Sequence, residues 1–187
     1  MVAVSRANDQ QLLLGEWACL GLLYPAPTHG FAIAARLKPT GDVGRVWSLS
    51  RPLTYRSLDQ LAARGYVHAI GSEKGIAGGN RTILAATRTG RAQLRRWLQT
   101  PVPHLRDLRS ELLLKLVVAA NCDIDITEML HQQHAHILSL VEVLADPDTN
   151  ADPDDVVALW RAETSLGALR YVERLLRGSP AAQAFGR

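Results

Sequence analysis

The sequence predicts a mainly α-helical fold carrying a small β-hairpin, on three observations. In the segment LSRPLTYRSLDQLAARGYV, Leu49 to Val67, a capped amphipathic helix runs directly into strand-like sequence. A polar, glycine-rich loop, GSEKGIAGGN, then separates that strand from a return strand. Beyond Pro101-Val102-Pro103 the chain reads as long helices with wide apolar stripes. A helix followed by such a hairpin is the winged helix-turn-helix arrangement, so the expected architecture is a winged helix-turn-helix domain over residues 1–100 and a C-terminal α-helical dimerisation domain over 101–187.

Taken in order, Asp9 to Tyr24 reads as a first helix stopped by Pro25-Ala26-Pro27, and Thr28 is placed to cap a second, short helix ending near Leu37. The first helix has apolar residues on more than one side. Leu13, Trp17 and Leu20 share a face, while Leu12, Cys19 and Leu23 occupy another, as expected of a helix wedged between two layers. Lys38 to Ser48 is a loop broken by Gly41 and Gly44. In the next helix Ser50 is a favourable N-cap, Pro52 is tolerated in the first turn, and Gly65 supplies the stop. Thr54, Leu58, Leu61 and Ala62 fall on one face and seek a core, leaving Arg56, Asp59, Gln60 and Ala63 on the other. Tyr66–Ile70 and Arg81–Thr87 are the expected wing strands. Thr89–Thr100 forms a basic helix exposing Arg91, Arg95 and Arg96, and the proline pair Pro101 and Pro103 marks the domain boundary.

In the second half the apolar run Leu112–Ala120 begins the helical part. Asp125 and Glu128 make a capping-box-like start to a helix whose Leu130, Ile137, Val141 and Leu144 recur near heptad spacing. Asp152-Pro153-Asp154-Asp155 starts another, with an Asp cap, Pro in the first turn and carboxylates favoured by the helix dipole. It carries Val156, Leu159, Trp160, Leu166, Leu169, Val172 and Leu176. Such stripes cannot bury themselves alone, and pairing with a second subunit covers them economically.

Bulk properties narrow the function classes. A chain of 187 residues can bury roughly two thirds of its unfolded surface without a disulfide or structural metal. With 47% hydrophobic and 21% charged residues it is neither disordered nor membrane-like in composition. Cys19 and Cys122, each in an apolar helical pattern, are expected as buried thiols of a reducing compartment, placing the protein in the cytoplasm. Leu12–Tyr24 is too short to span a bilayer, and its flanks lack a basic leader and a cleavage site. The net charge of +3 conceals an asymmetry. Residues 1–100 hold 13 Lys+Arg against 5 Asp+Glu, a net +8, and residues 101–187 hold 8 against 13, a net −5. The basic half suits a polyanion whose counterions it displaces, and the acidic half should do a different job.

Within the basic half, Arg56 offers a bidentate donor fork suited to a guanine edge, while Ser50, Arg51 and Thr54 near the helix N-terminus suit phosphate contacts. Tyr55 sits at the edge of the apolar face, where packing of its ring and a hydroxyl contact to phosphate both fit. Lys74 and Arg81 flank the hairpin loop, near a minor groove. That loop is not a nucleotide cradle, because it joins two strands and no Lys-Ser or Lys-Thr pair follows. No metal or cofactor is expected. His131, His134 and His136 cannot converge, since His136 points about 140° from His131 on a helix, and the loop from Asp146 departs from a calcium loop at Ala151 and Val157. Trp17 and Trp160 fit either core packing or a flat aromatic pocket between the first helix and the dimerisation helices. No Ser/His/Asp, Cys/His or paired-carboxylate pattern stands out, and an enzyme is not expected.

The chain resembles the PadR-like transcriptional regulators, specifically members with a longer C-terminal helical domain. The likeness rests on Thr28-His29-Gly30-Phe31-Ala32-Ile33, the Leu49–Val67 helix with its tyrosine, the Gly-Gly-Asn-Arg wing, and TRTGRAQLRRWL; RSELLLKLVVAA and the helices after it resemble the family's dimerisation domain. Many relatives place proline after the helix tyrosine, whereas Arg56 follows Tyr55 here, so base preference does not carry over. The resemblance implies a homodimeric repressor that sets one recognition helix per subunit in a major groove of a pseudo-palindromic double-stranded operator, released by a small aromatic or drug-like effector. A winged-helix protein-interaction adaptor that does not bind DNA is the alternative.

Overall fold

A computed structural model describes residues 11–74, 79–145 and 155–178 of the chain. The first helix, α1 (Leu14–Leu23), is buried on nearly every side, as its two apolar faces require. Leu13 is the exception: it precedes the helix and is exposed, so it does not share the buried face of Trp17 and Leu20. Glu16 is buried too; its carboxylate accepts from the Leu13 N–H at 2.8 Å, satisfying an orphan donor of the first turn, and lies 3.6 Å from Arg64. Cys19 and Cys122 are free, and burial pushes both thiols up to about 12, which leaves them protonated at neutral pH.

Thr28 does not cap the second helix. Thr28 and His29 instead form a short strand, β1, and α2 (Gly30–Arg36) is capped by His29, whose Nδ1 accepts from the Ala32 N–H at 3.0 Å. Pairing of Thr28 with Leu84 draws the backbone into the sheet and displaces the helix start. After α2 the chain turns tightly. A Cβ on Gly44 would lie 1.8 Å from the Lys38 carbonyl oxygen, so only glycine fits there.

The helix read from Leu49 onward is α3 (Arg51–Ala63). Thr54, Leu58 and Leu61 are buried as expected, but Ala62 is exposed, because the face pressed on α1 is narrower than the apolar stripe. Gly65 ends α3 with φ +71°, a left-handed conformation that costs glycine little. The wing strands are β2 (Val67–Lys74) and β3 (Asn80–Ala86), giving an antiparallel sheet in the order β1-β3-β2. β2 outruns the expected Tyr66–Ile70 because backbone pairing continues through Ser72↔Thr82 and Lys74↔Asn80, with an irregularity between Ala69 and Gly71. Polar side chains do not stop a ladder when both faces meet water.

Thr87 then caps α4 (Arg88–Leu98), its hydroxyl accepting from the Gly90 N–H at 3.0 Å. Arg95 and Arg96 are exposed, but Arg91 is half-buried, donating to the Tyr24 carbonyl and lying 4.9 Å from its ring centroid. The Pro101–Pro103 segment is pinned: buried Val102 donates to Gln133 Oε1 at 2.6 Å and accepts from Gln133 Nε2 at 3.1 Å. A 3-10 turn (Leu105–Asp107) and a π-helical turn (Leu108–Leu112) lead into α5 (Leu113–Cys122). In α6 (Thr127–Ala145) the expected capping box does not form. Asp125 alone caps, accepting from the Thr127 N–H and hydroxyl, which hold its carboxyl below the usual range, while Glu128 accepts from Gln132.

α7 (Val156–Leu176) is capped by Asp155, which accepts from the Val157 and Ala158 N–H groups. Asp155 is therefore the cap rather than a first-turn carboxylate; the Asp152 cap and the Asp146 loop lie outside the described residues. One apolar core runs from α1 through α3 and α4 to α5, α6 and Val172 of α7. Among the described residues no helix is long and apolar enough to cross a membrane, and no cluster of His, Cys, Asp and Glu could hold a metal ion. His134 faces Glu173 at 3.6 Å and His136 Nε2 the Pro103 carbonyl at 2.8 Å, so the two imidazoles point to different partners.

Candidate nucleic-acid interface

The exposed surface of α3 is set by what its other face does. Leu58 and Leu61 lock the helix against α1, and the Arg64–Glu16 contact ties its C-terminal end to the same helix. This leaves the first turns projecting outward. Ser50 caps weakly, its hydroxyl accepting from the Leu53 N–H at 3.5 Å. Thr54, expected among the phosphate-contacting residues, is fully buried and donates its hydroxyl to the Ser50 carbonyl at 3.0 Å. Its position one turn into the helix, on the face pressed to α1, gives it to packing and removes it from the surface set.

Arg51 and Arg56 are exposed, and among the described residues no carboxylate lies within 4 Å of either. Tyr55 is partly exposed, with one ring edge against Gly30: a Cβ there would meet the tyrosine ring at 2.9 Å. The Tyr55 ring therefore packs on the start of α2 while part of the residue meets solvent. Lys74, at the end of β2, is exposed. Arg81, on β3, is half-buried against the Phe31 ring, its guanidinium carbon 4.9 Å from the ring centroid. Arg51, Tyr55 and Arg81 thus converge around the start of α2, joined by contacts to Phe31 and Gly30, while Lys74 stands toward the hairpin tip.

Two residues at the centre of this surface were not singled out by sequence reasoning. Phe31 is 45% exposed, an unusual place for a large apolar ring. His29 Nε2 lies 3.2 Å from Glu73 of β2, so the residue that caps α2 also fastens the wing. Nδ1 accepts from Ala32, and Nε2 stands between Glu73 Oε1 and the Arg81 guanidinium, whose Nη1 is 3.4 Å away. The only signal in the sequence was the His-Gly-Phe run itself, and the partners that give it meaning lie on β2, β3 and α3.

The two tryptophans do not meet within the chain. Trp17 stacks on Trp97, with ring centroids 4.8 Å apart and planes 7° from parallel, whereas Trp160 is exposed on α7. A cavity of about 490 Å³ opens beside the Trp17–Trp97 pair and is lined also by Arg96, His104, Glu111 and Lys115. Lys115 is buried there, donating to the Thr100 carbonyl and pairing with Glu111 at 3.0 Å, and Trp97 Nε1 donates to the same Glu111 at 3.1 Å. Burial holds the Lys115 ammonium below its usual pKa, a drift that the Glu111 charge opposes.

A three-helix unit whose third helix leads into an antiparallel hairpin, followed by a fourth helix, is a winged helix-turn-helix. Among solved structures the chain is similar to PadR of Bacillus subtilis in complex with operator DNA, at 20% identity over 86% of this chain and 97% of that one, with a TM-score of 0.45. It is also similar to a protein of Streptococcus mutans (14% identity, 88% and 99% covered, TM-score 0.43). A third similar structure is a PadR-like transcriptional regulator of Bacillus cereus (15% identity, 90% and 97% covered, TM-score 0.39). No family model matches the sequence, and no curated protein does.

Proposed function

We propose that the chain is a double-stranded-DNA-binding transcriptional regulator, acting in the cytoplasm as a homodimeric repressor on a pseudo-palindromic operator. One observation carries the reading: the outward turns of α3 and the adjoining wing present Arg51, Arg56 and Arg81 with no carboxylate partner among the described residues. Guanidinium groups left unneutralised on a rigid, packed helix are suited to phosphates and to a guanine edge. Residues 1–100 form the DNA-binding part in this reading. Residues 101–187 hold two copies together through the exposed Val156, Val157, Leu159 and Trp160 of α7 and Leu138 and Val143 of α6. A planar aromatic effector would enter the cavity beside Trp17 and Trp97, with Trp160 contributing only across the dimer.

Selection of bound fragments from genomic DNA with the purified protein tests the reading, followed by titration of the selected duplex with Arg56→Ala. Loss of about 1–3 kcal/mol, concentrated at one base position, is expected if Arg56 reads an edge. Unchanged binding by that variant removes Arg56 from the interface. No binding of any duplex at low salt favours the protein-interaction adaptor.

A further inference from the structure

We propose that Phe31 is a positioning residue of this interface: its ring is the shared platform that holds Arg51 of α3 and Arg81 of β3 as two prongs for DNA phosphates. The proposal rests on the DNA-binding reading and deepens it. Phe31 is the second residue of α2, partly exposed, with Arg51 at 5.5 Å and Arg81 at 4.9 Å from its ring centroid. Arg51 also lies 5.8 Å from the Tyr55 ring, which itself rests on Gly30. An aromatic face orders a guanidinium without neutralising it, so the charge stays available to an anion while side-chain entropy is given up in advance. A carboxylate would order the same group and cancel it.

Among the described residues, the acidic side chain beside Arg81 on the sheet makes its contact with His29 instead. Glu73 is the cross-strand neighbour of Arg81, yet its carboxylate lies 3.2 Å from His29 Nε2 and makes no ion pair with Arg81, whose Nη1 lies 3.4 Å from the same His29 nitrogen beside the Phe31 ring. His29 in turn caps α2 through Nδ1, fixing the backbone that carries Phe31. Recognition helix, wing and the start of α2 therefore meet at one ring. Phosphate contacts are independent of sequence, so the prongs act on any duplex.

A short mixed-sequence DNA duplex, titrated with the full chain across ~50–200 mM salt, tests this. Each lost phosphate contact lowers the slope of log K against log salt by about 0.9. Phe31→Ala and Phe31→Leu should lower it by about one to two, while Phe31→Tyr, which keeps the ring, should restore it. In an Arg51→Ala/Arg81→Ala background the further change Phe31→Leu should have no effect. Phe31→Leu keeps an apolar side chain of similar reach, so it carries the test if Phe31→Ala unfolds. An unchanged slope in Phe31→Leu, or an equal loss in the double-arginine background, overturns the proposal alone. Failure of the unmodified protein to bind any duplex at low salt overturns the DNA-binding reading and this proposal with it.

Discussion

Individual side chains in this protein do work that their sequence neighbours do not announce. Lys115 sits in the apolar run Leu112–Ala120, where a lone lysine looks like the solvated edge of a helix. It is instead 1% exposed, compensated by Glu111, the Thr100 carbonyl and the Trp97 ring, whose centroid is 5.1 Å away. Removing one partner of a buried pair strands the other. Lys115→Met should therefore lower stability by about 3 kcal/mol in urea unfolding, and Lys115→Met/Glu111→Gln should recover more than half, because the glutamine still accepts from Trp97. The same scale explains Thr54. Periodicity placed it on the buried face and its position near the helix start suggested a phosphate contact; burial decided between them.

Several elements were legible from a local cap or stop. Ser50, Gly65 and Asp125 are adjacent to the turns they cap or end, and α3 and α6 stand close to where pattern and caps put them. What pattern could not supply was pairing between distant segments. β1 exists only because β3 runs beside it, and that pairing moved the cap of α2 from Thr28 to His29. The seam between α1 and α5 is likewise a matter of distance: Gly21 permits Val118 to approach, and a Cβ there would lie 2.6 Å from Val118 Cγ1. Gly21→Ala should destabilise by about 1–3 kcal/mol through overpacking, although alanine is the better helix former, and Gly21→Ala/Val118→Ala should regain part of the loss. Thermal unfolding of the three chains decides it. A gain in stability for the single variant would mean that α1 and α5 are not held as closely as the structure has them.

For the whole molecule the split between a basic and an acidic half has a structural counterpart. The basic half presents the α3–wing surface, and the acidic half carries a helix pair whose outer apolar residues are left uncovered. The first half of α7 exposes Trp160 (56%) and Leu159 (61%), more than isolated surface residues require. If a second copy covers them, Leu159→Glu/Trp160→Glu should convert the protein from dimer to monomer in sedimentation equilibrium while leaving its helical content intact. DNA affinity should then fall, because the two half-sites would no longer be bound together. A dimer that survives the double change places the interface elsewhere.

The sequence alone determined the order of helices and hairpin, the burial of Thr54, Leu58 and Leu61 on α3 and the placement of basic charge, because caps, periodicity and charge are properties of neighbouring residues. Only the tertiary structure decided that Phe31 and His29 stand at the centre of the candidate interface, that Trp17 faces Trp97 rather than Trp160, and that Val102 is gripped by Gln133. Each of these is a contact between segments remote in the chain. Their geometry follows from how the helices pack and the strands pair, and no local pattern encodes it.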